Sequence, residues 1–339
     1  MNEWLRKHLV CPRDKQELRT DGNNLVCAEN HVYPVVDDIP VMLIEEEEHI
    51  HNYITETLGT VAQIQSSGTY MKPASNGNLS GDAVDEYVQS EIFRTCGNLY
   101  VPLSHKLTRY PIPEFRLPQG EGERLLDVGC NWGRWTIAAA QNGYQPVGID
   151  PSLEAVSAAR RVSKQLGVAT DFVVGDARYL PFADGCFDVG FSYSVLQHFS
   201  KENAKLSLNE IARTVKNGGK TLVQMPNKYG IRCFQQRARR GFTEGEGFDV
   251  RYWSPSELME TFKRTFGETE MSVDCYFGLN VQKTDVDLFA PQFRMVVHSS
   301  EFLRRMSRKL PWLVNVADSV YLQSVNQKQA AKEKSVKEK

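Results

Sequence analysis

LLDVGCNWGRWTIAAAQNGYQPVGID, residues 125–150, is the stretch that decides the fold. Its first residues are rich in Leu and Val and predict a buried strand that ends at Gly129. Residues 132–141 predict a helix with Gly143 just past its end, and residues 145–150 predict a second strand that closes with an acid. Parallel strands joined through a helix form the right-handed crossover of nucleotide-binding sheets, so the sequence predicts an α/β fold.

Two acids in this stretch indicate the ligand. Asp127 lies two residues before Gly129, at the mouth of the glycine turn, where a carboxylate repels a pyrophosphate but tolerates a cationic amino group and a sulfonium. Gly129 and Gly133 allow close approach of the backbone. Asp150 follows Asp127 by 23 residues and can accept two hydrogen bonds from a ribose diol, each worth roughly 1.5–3 kcal/mol. The implied ligand is S-adenosylmethionine (SAM); the alternative is an α/β fold whose glycines serve only tight turns.

From residue 124 to 227, with a closing strand near Tyr321, the chain resembles the class I (Rossmann-like) SAM-dependent methyltransferases. DVGCNWG, residues 127–133, matches the first motif of that family, with Asn131 where a middle glycine is common. Asn tolerates left-handed backbone angles, so this difference is mild. The resemblance implies a mostly parallel seven-stranded Rossmann-like sheet with helices on both faces and an antiparallel seventh strand.

The same resemblance assigns residues to the cofactor. It makes Asp150 the acid that binds the ribose, and Asp176-Ala177 in GDARYLPF the pair that holds the adenine. Residues 187–199, FDVGFSYSVLQHF, correspond to the fourth strand and the loop beneath the methionine part. The cofactor-binding residues expected in total are Asp127, Gly129, Cys130, Asn131, Gly133, Asp150, Pro151, Asp176, Ala177 and Ser192.

Length and composition limit the class of protein. The 339 residues allow about two domains, and the 41% hydrophobic and 24% charged residues are typical of a globular chain. The net charge of −2 gives no overall bias toward nucleic acid. No run of eighteen apolar residues occurs, MNEWLRKHLV does not resemble a signal peptide, and the seven cysteines follow no disulfide pattern. We therefore expect a cytoplasmic protein.

Residues 1–44 are expected to form a small separate ribbon-like β unit. Cys11 with Asp14, Cys27 with Asn30, and the following YPVVDDIPVML resemble the Trm112-like zinc ribbons, whose paired cysteines hold a structural zinc. Asp14 and Asn30 replace the second cysteine of each pair, and Asn is a poor zinc ligand. A degenerate, metal-free ribbon is therefore expected. The alternative is a zinc site formed by Cys11, Asp14, Cys27 and His31.

The rest of the chain divides by composition. Residues 45–82 are expected to be a linker, because they contain a charge run and then a stretch rich in Gly, Ser, Asn and Thr. Residues 83–326 form the predicted methyltransferase domain, opened by a helix that the resemblance places over the cofactor pocket. Residues 327–339 are a Lys-rich tail that we expect to be disordered.

Two long segments, 226–253 and 278–317, follow strands at the edge of the sheet where ligands bind. A hairpin needs only about 2–5 residues, so we interpret both segments as acceptor-site insertions. Each carries an Arg-rich cluster that suits either a solvated helix face or an anionic acceptor.

Methyl transfer to oxygen requires alignment and, for a weakly acidic acceptor, a base. His198 is the candidate base, although it equally suits holding its loop, and Tyr193 and Asn227 are candidates for orienting the acceptor. The predicted function is methyl transfer from SAM to a small-molecule, glycan or lipid-linked acceptor at oxygen. The alternatives are an RNA methyltransferase that reads RNA through the ribbon, and a SAM-binding or partner-binding module without catalysis.

Overall fold

A computed structural model describes residues 1–47, 52–67, 83–278 and 280–327. The part of the predicted linker at 68–82 and the predicted tail beyond Gln327 lie outside these ranges. No helix within them is long and apolar enough to cross a membrane.

The strands of this part of the chain form one mixed sheet, in the order β1-β2-β3-β4-β7-β6-β5-β8-β9-β11-β10. Neighbours from β4 to β9 pair in parallel, and β11 pairs antiparallel with both β9 and β10. The strand bounds are β1 Arg19–Asp21, β2 Asn24–Val26, β3 Val32–Val36, β4 Ile39–Met42, β5 Arg124–Val128, β6 Gln145–Asp150, β7 Asp171–Gly175, β8 Phe187–Ser192, β9 Val215–Pro226, β10 Thr269–Cys275 and β11 Ser319–Val325.

Strands β5 to β11 are the seven expected strands, and the antiparallel direction predicted for the last of them is confirmed. Helices connect these strands, and the helix that was predicted to link β5 to β6 is present. The helix bounds are α1 Glu3–His8, α2 Asn52–Ser67, α3 Glu86–Cys96, α4 Arg134–Gln141, α5 Leu153–Gln165, α6 Lys201–Thr214, α7 Ile231–Arg239, α8 Pro255–Thr265 and α9 Pro291–Ser307.

The N-terminal strands are not a separate layer, which corrects the expected organisation. Val41 and Met42 of β4 pair in parallel with Val174 and Gly175 of β7, so β1–β4 lengthen the seven-stranded sheet to eleven. Leu5, Leu9 and Tyr33, with other residues of this unit, belong to the same buried cluster as Leu126 and Val128 of β5. Burial of this shared apolar surface fixes the unit against the main domain.

The linker expected over 45–82 contains helix α2, which corrects that prediction. Ile54 and Val61 are buried, and Leu58 and Ile64 pack beside them against the cluster that covers β7. These four residues recur three or four positions apart and so share one helix face. The polar composition that continues beyond this helix concealed that period in the sequence.

Candidate active site

The glycine turn after β5 has the backbone geometry that its sequence predicts. Gly129, Asn131 and Gly133 have φ angles of 79°, 46° and 81°, in the left-handed region. A Cβ on Gly129 would lie 2.2 Å from a methyl group of Val195, so this position has no room for a side chain. The Gly129 and Cys130 amides both donate to the carbonyl of Ile149, which holds the turn against the end of β6.

Asp150 ends β6 and lines a cavity beside this turn. Its two carboxylate oxygens accept hydrogen bonds from the amides of Asn131 and Ser152, each at 3.0 Å. Burial raises the pKa of Asp150 to about 6. A carboxylate has about four acceptor sites, so two backbone donors leave capacity for the two hydroxyls of a ribose.

Asp127 does not line this cavity. Its carboxylate is buried beneath the turn and accepts a hydrogen bond of 2.6 Å from the Thr136 hydroxyl. Burial, reinforced by the charge of Asp150, raises the pKa of Asp127 to about 7. The predicted direct role of Asp127 toward the ligand is therefore corrected: its contact is with α4, which begins at this turn.

The cavity has a volume of about 130 Å³ and collects most of the predicted cofactor residues. The predicted residues that line it are Gly129, Cys130, Asn131, Asp150, Pro151, Asp176 and Ala177, together with Tyr193 and His198. Gly133 and Ser192 do not line it. Gly133 faces Ala159 and Phe172 in the core, and the Ser192 hydroxyl donates to the Val128 carbonyl at 2.9 Å. The first contact places the start of α4 against α5 and β7, and the second joins β8 to β5; both differ from the predicted role of cofactor contact.

Asp176 lines the cavity, and its carboxylate forms an ion pair with Arg178. Its carboxylate accepts hydrogen bonds from Nε and Nη2 of Arg178 at 3.0 and 2.7 Å, and from the Arg178 amide at 2.8 Å. This fork holds the segment Asp176-Ala177 rigidly at the end of β7. The turn, the Asp150 carboxylate and this segment line one cavity, and the remaining acceptor capacity of Asp150 suits the two ribose hydroxyls of SAM.

The loop after β8 is fixed by side chains. His198 stacks on Phe248, and its Nδ1 lies 2.7 Å from the Phe248 carbonyl. Because a carbonyl only accepts, Nδ1 carries the proton, and Nε2 accepts from the Gln197 amide at 3.1 Å. The other amide hydrogen of Gln197 donates to the Ser194 hydroxyl at 2.8 Å.

Two of the three predicted acceptor-side residues have other partners. The Tyr193 hydroxyl donates to the buried carboxylate of Asp274 at 2.7 Å, and burial raises the pKa of Tyr193 well above its ordinary value. Only its ring is left to face the cavity. Asn227 is fully buried, and its amide donates to the carbonyls of Asn315 and Ala317 at 3.0 and 2.9 Å. Asn227 thus connects the two insertions through hydrogen bonds. Its amide is not available to orient an acceptor, which differs from the predicted role.

A larger cavity of about 1560 Å³ adjoins the first. Helix α7 and the start of α9, from the two insertions, contribute to its wall. The residues that line both cavities, and therefore mark their junction, are Tyr53, Arg94, Ser194, His198 and Phe248. Tyr53 and Arg94 were not predicted. Tyr53 is in helix α2, which was expected to be part of a linker because of the polar composition of this region. Nothing in the local sequence of Arg94 distinguishes it from other surface arginines.

A buried ion pair connects the second insertion to helix α4, next to the smaller cavity. Arg134, the first residue of α4, lies 2.5 Å from Asp285, with both side chains buried. Tyr100 also donates its hydroxyl to Asp285, and the Arg134 guanidinium donates to Tyr100 at 3.2 Å. These partners are far apart in the sequence, so no local pattern predicts them. The pair fixes the second insertion beside the cavity that Arg134 also lines.

Four metal-ligand side chains converge in the N-terminal unit. The donor atoms of Cys11, Asp14, Cys27 and His31 all lie within 4.8 Å of one another. His31 Nδ1 is 3.1 Å from Asp14 Oδ2, 3.3 Å from Cys27 Sγ and 3.5 Å from Cys11 Sγ. Tetrahedral zinc donors lie roughly 3.3–3.8 Å apart, because each bond is about 2.0–2.3 Å long. The two cysteines, the imidazole and the carboxylate therefore fit a zinc ion in number and in donor type, and the three distances from His31 Nδ1 are close to tetrahedral spacing.

Part of the chain is similar to known proteins. Residues 126–223 match the family model described as a methyltransferase domain. The ubiquinone biosynthesis O-methyltransferase of Rhizobium etli is 32% identical over 108 residues, which cover 32% of this chain and 43% of that protein. The tRNA (carboxymethyluridine(34)-5-O)-methyltransferase of Schizosaccharomyces pombe is 30% identical over 126 residues, which cover 37% of this chain and 49% of that protein. The chain thus spans less than half the length of these relatives.

Among solved structures, phosphoethanolamine N-methyltransferase 2 of Haemonchus contortus, in complex with SAM, aligns with a TM-score of 0.46 and 18% identity. The alignment covers 85% of this chain and 61% of that one. The family match and the strand order together describe one part of the chain. Residues 126–223, which run from β5 into β9 of the mostly parallel sheet, match a methyltransferase domain.

Proposed function

We propose that the protein transfers a methyl group from SAM, bound in the smaller cavity, to an acceptor bound in the larger one. The observation that carries this proposal is the junction of the two cavities at Ser194, His198 and Phe248. A displacement reaction needs its two reactants in line, and holding them so contributes roughly 7–11 kcal/mol. Two adjoining cavities with shared walls provide that alignment.

Each part of the smaller cavity has a proposed role toward SAM. Asp150 accepts hydrogen bonds from the ribose hydroxyls, and the segment Asp176-Ala177 lies along the adenine. The glycine turn brings the backbone of residues 129–131 close to the rest of the ligand. When bound, SAM supplies a methyl group activated by the sulfonium.

We propose an acceptor oxygen on a small molecule, a glycan or a lipid-linked molecule. The larger cavity combines apolar side chains such as Phe93 and Phe293 with Arg94, Arg232 and Arg239, which suits an acceptor with an apolar part and an anionic part. His198 is the proposed base. Its Nδ1 proton is committed to the Phe248 carbonyl, so Nε2 is the atom that takes the acceptor proton once the Gln197 amide is displaced.

Similarity to a tRNA methyltransferase supports RNA as a second candidate acceptor. Binding of RNA releases counterions, so this candidate requires an affinity that falls steeply as salt rises. The apolar side chains in the wall of the larger cavity support the first candidate over this one.

The deciding experiment is transfer of a labelled methyl group from SAM into cell extract, followed by separation into small-molecule, glycan, lipid and RNA fractions. We expect label in one of the first three fractions, and little label with an Asp150→Asn variant. Asp21→Asn is the matched control, because Asp21 is exposed on β1, away from both cavities. Label confined to RNA would contradict the first candidate acceptor and support RNA instead.

We also propose that Cys11, Asp14, Cys27 and His31 hold a structural zinc ion. The expectation of a metal-free ribbon rested on Asn30, but the donor that joins the cluster is the adjacent His31. The His31 imidazole and the Asp14 carboxylate are the two zinc ligands that replace the missing thiolates. The resemblance of residues 1–44 to Trm112-like ribbons supports the same proposal.

A further inference from the structure

Exposed apolar side chains concentrate in the two insertions. Of the fourteen large apolar residues that are exposed in the described ranges, nine lie in segments 226–253 and 278–317. Seven of them define what we call the insertion face: Ile231, Phe234, Phe242, Met295, Phe302, Leu310 and Trp312. Exposed apolar side chains scattered singly need no explanation, whereas contiguous ones mark an interaction surface; the rings of Phe234 and Phe242 are in edge contact, with centroids 5.6 Å apart.

The same two segments are basic. They contain twelve Lys and Arg against six Asp and Glu, a net charge of +6 in a chain whose total is −2. Arg305, Arg308 and Lys309 are exposed. The remainder of the chain is therefore acidic, and the positive charge accompanies the exposed apolar residues.

Helix α9 shows how these two properties combine. Met295, His298, Phe302 and Arg305 recur three or four residues apart and are all exposed, with Met295 at 72% and Phe302 at 64%. Val297 and Ser300 lie on the opposite side and are buried. The face that a surface helix normally gives to polar residues here carries large apolar ones beside cations.

The two insertions lie together beside the larger cavity. The Asn227 side chain bonds the carbonyls at the end of the second insertion, and the amides of Arg232 and Cys233 donate to the Asp318 carboxylate. Ile231 of the insertion face itself lines the larger cavity, as does Val296 of α9. The surface and the cavity thus share elements.

We propose that the insertion face binds the surface of a bilayer that contains anionic phospholipids, and that a lipid-linked acceptor enters the larger cavity from that surface. The second clause rests on the proposed function. Apolar side chains above a basic background are the signature of interfacial binding, with about 1 kcal/mol from each nearby Lys or Arg. Single-stranded nucleic acid would use only the rings of Phe234, Phe242, Phe302 and Trp312 for stacking, whereas a bilayer takes up all seven side chains, so RNA binding is the competing outcome of the test.

The test is sedimentation of the full chain with vesicles, without SAM or acceptor. We expect binding to phosphatidylcholine vesicles that contain phosphatidylglycerol, and binding about tenfold weaker to phosphatidylcholine alone. Replacing Met295 and Phe302 together by Ser is expected to weaken binding about a hundredfold or more, since two large apolar side chains no longer enter the bilayer. Leu206→Ser, on the exposed side of α6 outside both insertions, is the matched control and should bind as the wild type does.

Unchanged SAM affinity in the double variant shows that it has folded. Equal binding by the wild type and the double variant would overturn the proposal. So would a concentration-dependent dimer that the double variant abolishes, or RNA binding that it abolishes. Vesicle binding without methyl transfer to any lipid would support the membrane-binding surface and contradict a lipid-linked acceptor. A failure of the binding surface and a failure of the proposed function therefore give different results.

Discussion

His198 and Phe248 lie parallel, with ring centroids 4.0 Å apart and an interplanar angle of 4°, and the imidazole also bonds the Phe248 carbonyl. Phe248 belongs to the first insertion, and His198 follows the central strand β8. The stack therefore connects the first insertion to the loop after β8, and both residues line the two cavities. It also limits the imidazole to one orientation, with Nε2 as its remaining acceptor atom.

The role of His198 is tested by two substitutions. His198→Gln keeps a donor for the Phe248 carbonyl but offers no basic nitrogen, whereas His198→Ala removes both. If His198 is the base, both variants lose methyl transfer by about a hundredfold or more while SAM affinity stays within about threefold. Recovery of transfer in the Gln variant alone would show instead that the residue only holds its loop.

Gly129 and Gly167 form a matched pair, because both have positive φ but only Gly129 has a close neighbour. Nothing lies within 4 Å of a Cβ on Gly167, whereas a Cβ on Gly129 would meet Val195 at 2.2 Å. Gly167→Ala is expected to cost about 1 kcal/mol of unfolding free energy from backbone strain alone. Gly129→Ala should cost more and should also weaken SAM binding, because the loop that carries Val195 must move. Titration and thermal unfolding measure both effects, and equal losses in the two variants would refute the close contact.

The buried carboxyl of Asp127 predicts a pH dependence of stability. Its pKa is about 7 in the folded chain against 3.8 for the free side chain. A raised acid pKa stabilises the fold most when the group is protonated, so this contribution is lost as pH rises from about 4 through about 7. Asp127→Asn keeps an acceptor for Thr136 but has no charge to bury. The free energy of unfolding of the wild type, relative to this variant, should fall over that range and then level off. Parallel pH curves would show that burial does not perturb Asp127.

Zinc is tested by elemental analysis and thermal unfolding. We expect about one zinc ion per chain, and a lower melting temperature after chelation because metal-binding energy becomes folding energy. Asp14→Ala and His31→Ala should lose the metal, whereas Asn30→Ala, next to the cluster but outside it, should retain it. The absence of zinc from the wild type, or its retention in His31→Ala, would contradict the site.

Local patterns explain which features the sequence could predict. The run from Leu125 to Asp150 contains its own strand, turn and helix signals, and these elements are present where they were predicted. The Arg134–Asp285 pair joins residues 151 positions apart, and the junction residues Tyr53 and Arg94 meet only after folding. Such contacts depend on the tertiary arrangement, so periodicity and spacing do not reveal them.

Side-chain direction explains most of the differences at the site. The sequence predicts that Asp127 and Asn227 lie at strand ends on the ligand side of the sheet; Asp127 is near the end of β5 and Asn227 directly follows β9. Their side chains satisfy buried partners instead, because an unpaired polar group in the interior costs more than the contact with a ligand would return. Asp150 differs because only two backbone amides occupy its carboxylate.

The central claim is that Asp150 binds the ribose of SAM in the cavity beside the glycine turn. The most direct measurement is calorimetric titration of SAM into the wild type and into Asp150→Asn, with Asp21→Asn as the control. The account predicts binding by the wild type and the control, and an affinity at least about tenfold lower in Asp150→Asn, since a charge-assisted hydrogen bond contributes roughly 1.5–3 kcal/mol. Equal affinity in all three proteins would contradict it.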